Sequence, residues 1–312
     1  MHDQKLYGAD LFGASAAPAP GGKVAERFGF PPFTVLDAKL GAWRERKRAW
    51  LSLGIRSDLG RAENLTYTNN TFTGYDGVKE EQNGTSIFDP VLCELMYRWF
   101  CPASGQVIDP FAGGSVRGVV AEVLGRRYWG CDLRPEQVEA NRHQAAAIGV
   151  APVWVCGDSM DTLDEAPAAD FIMSCPPYGD LEQYSQDPAD LSAMEWHTFR
   201  AAYRRIILRA LERLKPDRFA CFVVADFRDP RGFYRNFVGD TVAAFEECGA
   251  RLYNEAILAT PVGSGRLRVT KQFNGGRKLV KTHQNVLVFC KGNPRKAADL
   301  CTSDPETGAE AA

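Results

Sequence analysis

The segment SCPPY (174–178) combines residue types that could bind and activate a planar amine. It follows a short apolar run, FIM (171–173), which stops where the small polar residues and prolines begin. Prolines lack an N–H group, so they fix the backbone shape and leave carbonyl oxygens as hydrogen-bond acceptors. The tyrosine supplies a flat ring for stacking. We therefore predict a slot for a planar group that carries an NH2, built from Ser174, Cys175, Pro176, Pro177 and Tyr178.

A second segment, DPFAGGS (109–115), has the composition of a ligand-binding turn between a strand and a helix. Its glycines let a ligand approach the backbone closely, and the following helix would offer free N–H groups. Asp132 comes nineteen residues after Gly113, at the end of the next predicted strand, where doubly wound folds bind ribose hydroxyls. The turn lacks a complete GxGxxG pattern, so we expect a nucleoside smaller than a dinucleotide. The alternative is a tight turn without a ligand.

A third acidic group, Asp158 in GDSMD (157–161), stands at the end of the third predicted strand. A carboxylate at this point could accept a hydrogen bond from an adenine amino group over the same crevice. An Asp that caps the following turn explains the residue equally well.

The elements that must position these segments alternate between strand and helix from about 106 to 249, which predicts a parallel sheet covered by helices on both faces. The predicted strands lie at 106–108, 127–133, 152–159, 170–175, 219–226, 251–260 and 284–292. The predicted helices lie at 38–54, 86–100, 116–125, 134–149, 191–215 and 237–249. Neighbouring parallel strands end at the same edge of a sheet, so we expect the three segments to face one crevice.

Composition sets the class of protein. The chain has 312 residues, 45% hydrophobic and 24% charged, which is typical of a soluble globular protein. It shows no apolar run of the roughly 20 residues that a membrane span needs and no signal-peptide pattern near its start, so we expect a cytoplasmic protein. Its nine cysteines are scattered singly without a CxxC pair, which predicts neither a zinc site nor a disulfide framework.

Charge is distributed unevenly along the chain. The net charge is -2, yet no Asp or Glu occurs from 256 to 298. We expect 260–283 to be a loop between two antiparallel strands, with a hairpin turn at NGG (274–276). Basic side chains in it would contact phosphates, and Arg could read guanine; the alternative is a solvated basic loop. The predicted DNA-binding residues are Arg266, Arg268, Lys271, Arg277, Lys278 and Lys281.

Two other segments are candidates for DNA contact. One is DFRDPRGFYRNF (226–237), in which Phe233 and Tyr234 would lie near the bound strand; a plain connector explains it equally well. The other is the basic helix around WRERKR (43–48), for which a solvated helix face is the stronger reading.

Together these motifs resemble those of S-adenosylmethionine-dependent DNA amino-methyltransferases, which methylate adenine N6 or cytosine N4. DPFAGGS resembles the family's DPFxGSG cofactor motif, and SCPPY resembles its [DNS]PPY catalytic motif. TSIFDPVLCELMYRWF (85–100) resembles the segment that closes over the methionine moiety, and KTHQNVLVFCKG (281–292) resembles the closing strand, in which His283 is a structural position. The resemblance covers about 85–292. The chain is also similar to stand-alone methylases encoded by phages, which implies a phage or bacterial host and a restriction-modification context.

The resemblance implies an α/β, Rossmann-like methyltransferase fold: a doubly wound, mostly parallel, seven-stranded sheet with an antiparallel last strand. It divides the chain into a flexible arm (1–30), a helical and loop extension (31–84), the catalytic domain (85–292) and a tail (293–312). It implies double-stranded DNA as the partner, with a homodimer as one option for the assembly. The implied cofactor residues are Phe88, Asp109, Pro110, Phe111, Ala112, Gly113, Gly114, Ser115, Asp132, Leu133, Asp158 and Ser159.

The implied mechanism needs no covalent intermediate with the enzyme. Acceptors in the tetrapeptide hold the amine hydrogens and localise the nitrogen lone pair, which then attacks the sulfonium methyl in line. In duplex DNA the target base is flipped out, and Tyr178 stacks on it.

Two departures from the family pattern bear on activity. Cys175 replaces Asp, Asn or Ser, and a thiol is a weak hydrogen-bond partner. The enzyme is then weakened, or Ser174 takes the role, or the Pro176 carbonyl carries it. The glycine turn reads Gly-Gly-Ser instead of Gly-Ser-Gly. Attack by the Cys175 thiol, as in cytosine C5 methylation, is disfavoured because that chemistry typically uses Pro-Cys order.

Three functions stay open at this point: methylation of a DNA base, methylation of RNA or of protein glutamine, and DNA binding without catalysis. The choice between adenine and cytosine also stays open, because Cys175 matches neither preference of the family.

Overall fold

The structure is a computed structural model that describes residues 29–56, 88–179, 185, 187–263 and 265–302. Residues 57–84 of the predicted extension and all but the last two residues of the predicted arm lie outside the described residues.

One sheet organises the described part of the chain. Its eight strands are β1 (Val35–Asp37), β2 (Gln106–Asp109), β3 (Arg127–Asp132), β4 (Val153–Cys156), β5 (Ala169–Ser174), β6 (Leu214–Val224), β7 (Arg251–Ala259) and β8 (His283–Lys291). Their order is β1-β7-β8-β6-β5-β2-β3-β4, and only β8 runs antiparallel to its neighbours, β6 and β7. The predicted fold class, an α/β, doubly wound, mostly parallel Rossmann-like sheet with an antiparallel last strand, is confirmed.

The number of strands differs from the prediction of seven. The additional strand, β1, pairs in parallel with β7 at the edge of the sheet. Three residues are too few to show the alternation of apolar and polar side chains by which a strand is recognised in a sequence.

Helices cover both faces of the sheet. They are α1 (Gly41–Leu51), α2 (Pro90–Phe100), α3 (Val116–Val123), α4 (Pro135–Ile148), α5 (Ser159–Thr162), α6 (Trp196–Arg213), α7 (Phe237–Glu247), α8 (Gly265–Gly276) and α9 (Pro294–Thr302). Residues of α1 to α4 and α9 enter one apolar core, and residues of α6 and α7 enter the other. The sheet lies between these two cores, as the doubly wound arrangement requires.

Strand β5 shows why a continuous apolar run folds as a central strand. All six of its residues are buried. Phe171 and Met173 enter one core and Ile172 enters the other, because successive side chains of a strand point to opposite faces. The middle of the strand is covered on both sides and therefore has apolar residues in succession, whereas Asp170 and Ser174 near its ends are buried with hydrogen-bond partners.

The segment after β7 does not have the predicted form. Residues 265–276 form helix α8, so the predictions of a loop at 260–283 and a hairpin turn at 274–276 are wrong. Gly275 and Gly276 end a helix, and Arg277 follows with a left-handed φ of 51°. Glycine marks helix ends as well as hairpin turns, so the Asn-Gly-Gly signal was real but ambiguous.

A last helix occupies part of the segment predicted as a tail. Helix α9 begins at Pro294, and the side chain of Asn293 accepts a hydrogen bond from the N–H of Arg295 at 2.9 Å. Ala297 is fully buried in the core shared with α2. Cys301 also packs against this core.

Candidate active site

Four parallel strands end side by side at one edge of the sheet. Strand β2 lies between β3 and β5, and β4 lies beyond β3. From β2 the chain proceeds outward to β3 and β4 and then returns across the sheet to β5, so the β2–β5 boundary is the point where the strand order reverses. Ligands of doubly wound folds bind in the crevice at such a point. Both predicted ligand segments, 109–115 and 174–178, begin there.

The glycine turn after β2 is open to a ligand. Gly113 has a φ of +49°, a left-handed conformation that favours glycine, and no atom lies within 4 Å of the position that a Cβ would occupy. Its N–H donates to Asp132 Oδ2 at 2.9 Å, and its carbonyl accepts from Asn141 Nδ2 at 2.7 Å. Hydrogen bonds with β3 and α4 therefore hold the turn in place, and the space on the Cβ side of Gly113 is left open for a ligand.

Asp132 lies at the end of β3, where a ribose-binding acid was predicted. Besides the bond from Gly113, its Oδ1 accepts a hydrogen bond from the N–H of Arg134 at 3.0 Å. A carboxylate has about four acceptor sites, so Asp132 keeps capacity for ligand hydroxyls. Burial raises the pKa of Asp132 above its usual range, and the nearby Arg134 opposes this shift. Leu133, which follows, is half-buried.

At the end of β4, Asp158 caps a short helix. Its Oδ1 accepts a hydrogen bond from the N–H of Met160 at 2.8 Å, which is the capping role considered for this residue. Ser159 Oγ donates to the Pro110 carbonyl at 2.5 Å and so ties the end of β4 to the glycine turn. Contact of either side chain with a cofactor stays a prediction.

Asp109 is completely buried and holds several elements together. Its Oδ2 accepts hydrogen bonds from Arg117 Nε at 2.5 Å and from Tyr128 Oη at 2.8 Å. Its Oδ1 accepts from the N–H of Phe111 at 3.1 Å and from Ser174 Oγ at 2.5 Å. Four protein groups donate hydrogen bonds to the Asp109 carboxylate, which therefore fixes the glycine turn relative to β3, β5 and α3.

Arg117 is a residue of the site that the sequence did not indicate. Its guanidinium donates to the carbonyls of Phe111 at 2.6 Å and Ala112 at 2.9 Å, in addition to Asp109. Burial alone would lower the pKa of Arg117, but the adjacent Asp109 outweighs it and raises the pKa. Nothing distinguishes this arginine in the sequence, because its partners come from the preceding turn and not from a helical repeat.

Phe88 lies over this network. The guanidinium carbon of Arg117 is 4.6 Å from the centre of the Phe88 ring. Phe88, in the segment predicted to close over the cofactor, therefore lies next to the glycine turn. Helix α2 follows directly, with Asp89 as its cap and Pro90 in its first turn: Asp89 Oδ1 accepts from the N–H of Val91 at 2.9 Å.

The other turn residues divide into held and accessible groups. Ala112 is buried, and the Ser115 hydroxyl donates to Gln144 Oε1. Gly113, Gly114 and Phe111 are half-buried. Two parts of this turn are thus suited to ligand contact: the backbone N–H groups at the start of α3 and the open surface of the two glycines.

The segment after β5 places its residues at different depths. Ser174 is completely buried and donates to Asp109, so its hydroxyl hydrogen is committed to the protein. Pro176 is buried, whereas Cys175, Pro177 and Tyr178 are half-buried. Cys175 Sγ lies 3.8 Å from Tyr178 Oη in a weak hydrogen bond. This depth disfavours Ser174 as a substitute for the missing polar residue of the tetrapeptide.

Tyr178 is fixed from two sides. Its Oη accepts a hydrogen bond from Gln284 Nε2, at the start of β8, at 3.0 Å. Its ring packs against Phe227 and Phe237, with centroid distances of 6.3 and 6.1 Å. Gln284 was missed by sequence reasoning, because 106 residues separate it from Tyr178 and no local pattern marks the pairing.

The predicted DNA-binding residues lie on α8 and the segment after it. Arg266, Arg268, Lys271 and Arg277 are exposed, and Lys278 and Lys281 are half-buried. Burial lowers the pKa of Lys281, and Asp226 opposes this shift. Contact of these six side chains with DNA stays a prediction.

The described residues contain no group of three or more His, Cys, Asp or Glu side chains that could hold a metal ion. None of the described helices is long and apolar enough to cross a membrane.

Comparisons with known proteins find weak similarity. No protein-family model and no curated protein matches the chain. Among solved structures, TrmN from Thermus thermophilus is 17% identical with a TM-score of 0.45; the match covers 65% of this chain and 49% of TrmN, so this chain spans about half the length of TrmN. A putative RNA methyltransferase from Pyrococcus horikoshii is 16% identical with a TM-score of 0.43, over 65% of this chain and 83% of that one. A TehB-like SAM-dependent methyltransferase from Corynebacterium glutamicum is 17% identical with a TM-score of 0.41, over 67% and 90%.

Proposed function

We propose that this chain is an S-adenosylmethionine-dependent methyltransferase that methylates an exocyclic amino group of a base in double-stranded DNA. The observation that carries the proposal is the 2.5 Å hydrogen bond between Ser174 Oγ and Asp109 Oδ1. It joins the last residue of β5 to the last residue of β2, so the tetrapeptide and the glycine turn start from the same point of the crevice. The methyl donor and the acceptor amine need this adjacency.

The residues present suit an adenosine-bearing cofactor. The turn is open at Gly113, and the N–H groups in the first turn of α3 would donate to an acceptor on the cofactor. Asp132 would accept the ribose hydroxyls, and Phe88 would cover the cofactor from the side of Arg117. When bound, the cofactor supplies an electrophilic methyl group on a sulfonium centre.

The chain's own residues prepare the amine. Because Cys175 is a weak acceptor that already bonds to Tyr178, the Pro176 carbonyl is the principal acceptor for an amine hydrogen. Tyr178 stacks on the base, and Gln284 fixes the rotation of its ring. Catalysis then consists mainly of holding the nitrogen in line with the methyl group, with no covalent step on the protein.

A nucleic acid is favoured over a peptide as the substrate by the charge of the segment that follows β7. Residues 256–298 contain no acid, and four of the six basic residues named above are exposed. A polyanion is the partner that such a segment suits, and methylation of a peptide glutamine would not need it. The phage origin and the restriction-modification context stay predictions.

The proposal is tested by methyl transfer in vitro. The purified chain is incubated with S-adenosylmethionine labelled in its methyl group and with duplex DNA, RNA of the same sequence or a glutamine-containing peptide. We expect label in DNA only, and we expect Tyr178→Ala to abolish it while S-adenosylhomocysteine still binds. Label in RNA or peptide alone, or cofactor binding without transfer to any substrate, would contradict the proposal.

A further inference from the structure

A tight turn between β6 and α7 presents two aromatic rings to solvent. The exposed fractions of Phe233 and Tyr234 are 69% and 47%. The turn is ordered by its own hydrogen bonds: Asp229 N–H donates to the Phe233 carbonyl at 2.8 Å, and Phe233 N–H donates to Asp229 Oδ1 at 2.9 Å. Arg228 and Tyr234 form an isolated antiparallel bridge at its base. The rings are thus held outward by a defined backbone.

Basic side chains lie beside these rings, and the Arg231 guanidinium carbon is 6.0 Å from the centre of the Phe233 ring. The Arg228 guanidinium carbon is 4.0 Å from the centre of the Tyr234 ring, and Lys281 Nζ is 5.8 Å from it. Lys278 lies against the turn: a Cβ placed on Gly232 would come within 2.5 Å of its Nζ. Arg228 and the two lysines belong to segments about fifty residues apart, so tertiary structure assembles the group.

The turn is connected to the candidate active site by a short path. Phe227, the residue before Arg228, packs against Tyr178 at a centroid distance of 6.3 Å and is buried. The inner end of this segment therefore supports the catalytic tyrosine, and its outer end carries the exposed rings and cations. A substrate that reaches Tyr178 has part of its bulk close to this surface.

We infer that Arg228, Phe233, Tyr234, Lys278 and Lys281 form a platform that binds a DNA strand next to the target base. The rings stack on an unpaired base, and the lysines contact its phosphates. Exposed rings interleaved with cations are the arrangement by which proteins bind single-stranded nucleic acid. This inference rests on the proposed function and adds to it a contact with bases outside the catalytic slot.

Charge complementarity favours DNA over a second copy of the chain. Two of the acids near the platform are already engaged: Asp229 closes the turn and contacts Arg231, and Asp226 accepts from the N–H of Val238 at 3.2 Å. A purely apolar partner would bury the three cations without compensation, which is costly. A phosphodiester strand compensates them.

The test compares variants in binding to fluorescein-labelled oligonucleotides of one sequence, measured by anisotropy in the full chain without cofactor. The probes are a single DNA strand, a paired duplex, a duplex with a central mismatch and an RNA strand. We expect the double variant Phe233→Ala, Tyr234→Ala to bind the single strand and the mismatched duplex at least about tenfold more weakly. Tyr234→Phe keeps the ring and should bind within about twofold of the parent, since stacking needs no hydroxyl.

A matched control is Phe33→Ala, because Phe33 has an exposed fraction of 67% and lies before β1, outside the two chain segments that carry the platform residues. Lys278→Gln with Lys281→Gln should reduce the salt dependence of binding, which follows the number of phosphates contacted. Thermal melting confirms that each variant is folded.

Unchanged DNA binding in the double alanine variant, or an equal loss in Phe33→Ala, would overturn the platform. Tighter binding of the RNA strand than of the DNA strand by the parent protein would overturn it as well. So would a parent protein that sediments as a dimer while the double alanine variant sediments as a monomer and binds DNA as the parent does. Because binding is measured without methyl transfer, a parent protein that binds through the platform but methylates nothing would refute the proposed function and leave the platform standing.

Discussion

Ser174 and Asp109 stand at the ends of neighbouring strands, and a 2.5 Å hydrogen bond from the serine hydroxyl to the carboxylate joins them. The same carboxylate also accepts from Arg117 and Tyr128. Through this buried group, the shape of the glycine turn and the start of the tetrapeptide are set together. A shift in one is transmitted to the other, which is what in-line transfer between a cofactor and a substrate requires.

Removal of the serine hydroxyl tests the energetic weight of this link. Ser174→Ala leaves a buried carboxylate with one donor fewer, so we expect the free energy of unfolding to fall by about 1–3 kcal/mol. Urea unfolding measures the change. Ser52→Ala is the control, because the Ser52 hydroxyl donates to the Ala49 carbonyl at an exposed position and should change stability by less than about 0.5 kcal/mol. Equal stability of the two variants would show that the buried bond contributes nothing.

Cofactor affinity should depend on pH through Asp132. Burial raises the pKa of Asp132, and ribose hydroxyls donate more strongly to its ionised form than to its protonated form. As the pH falls, Asp132 therefore becomes protonated at a higher pH than an ordinary Asp does. We expect the binding of S-adenosylhomocysteine to weaken as this protonation proceeds. Calorimetry across mildly acidic pH measures the effect.

Asp132→Asn separates this group from the titration of the ligand itself. We expect the variant to bind about tenfold or more weakly at neutral pH, because hydrogen bonds to a charged acceptor are lost, and to show a flatter pH profile. A profile identical to that of the parent would exclude Asp132 from the cofactor site.

The position of Tyr178 should depend on Gln284. Gln284→Leu removes the 3.0 Å hydrogen bond to Tyr178 Oη, so the ring loses its rotational restraint. We expect kcat to fall by about tenfold, with little change in the KM for the cofactor. A double-mutant cycle with Tyr178→Phe provides the control: in that background Gln284→Leu should have little further effect. Additive losses would mean that Gln284 acts through something other than the tyrosine hydroxyl.

Helix α1, once a candidate for DNA contact, is docked on α2. Arg46 Nε donates to the fully buried Glu94 at 2.7 Å, and Trp50 Nε1 donates to the same carboxylate at 2.8 Å. Arg46→Leu should lower the free energy of unfolding by about 3–5 kcal/mol, since it leaves a buried charge without this partner. Arg44→Leu, at an exposed position of α1, should change it by less than about 0.5 kcal/mol. Unchanged stability of the Arg46→Leu variant would contradict this role of the ion pair, and contact of the exposed face of α1 with DNA stays a prediction.

The elements that could be predicted from the sequence are those whose signals are local. Strand β5 was recognisable as an apolar run that ends at prolines, and α2 by its Asp89 cap followed by Pro90. The DPFAGGS turn and Asp132 were recognisable because their spacing follows from the strand–turn–helix geometry itself.

The features that could not be predicted depend on distant partners. Glu94 reads as a surface position of a helix until Arg46, 48 residues earlier, is packed against it. Gln284 gains its role only when β8 brings it to Tyr178. The burial of Ser174 likewise depends on its pairing with Asp109, 65 residues away, and on the neighbours of β2 in the sheet.

The central claim is transfer of a methyl group to an exocyclic amine held at the Pro176 carbonyl, and the most direct measurement identifies the product. DNA from cells that express the chain, or its Cys175→Ala or Tyr178→Ala variant, is digested to nucleosides and analysed by mass spectrometry. We predict N6-methyladenine or N4-methylcytosine with the parent chain, retained product with Cys175→Ala, and none with Tyr178→Ala. Methylation at cytosine C5 that disappears with Cys175→Ala, or the absence of any methylated nucleoside, would contradict the account.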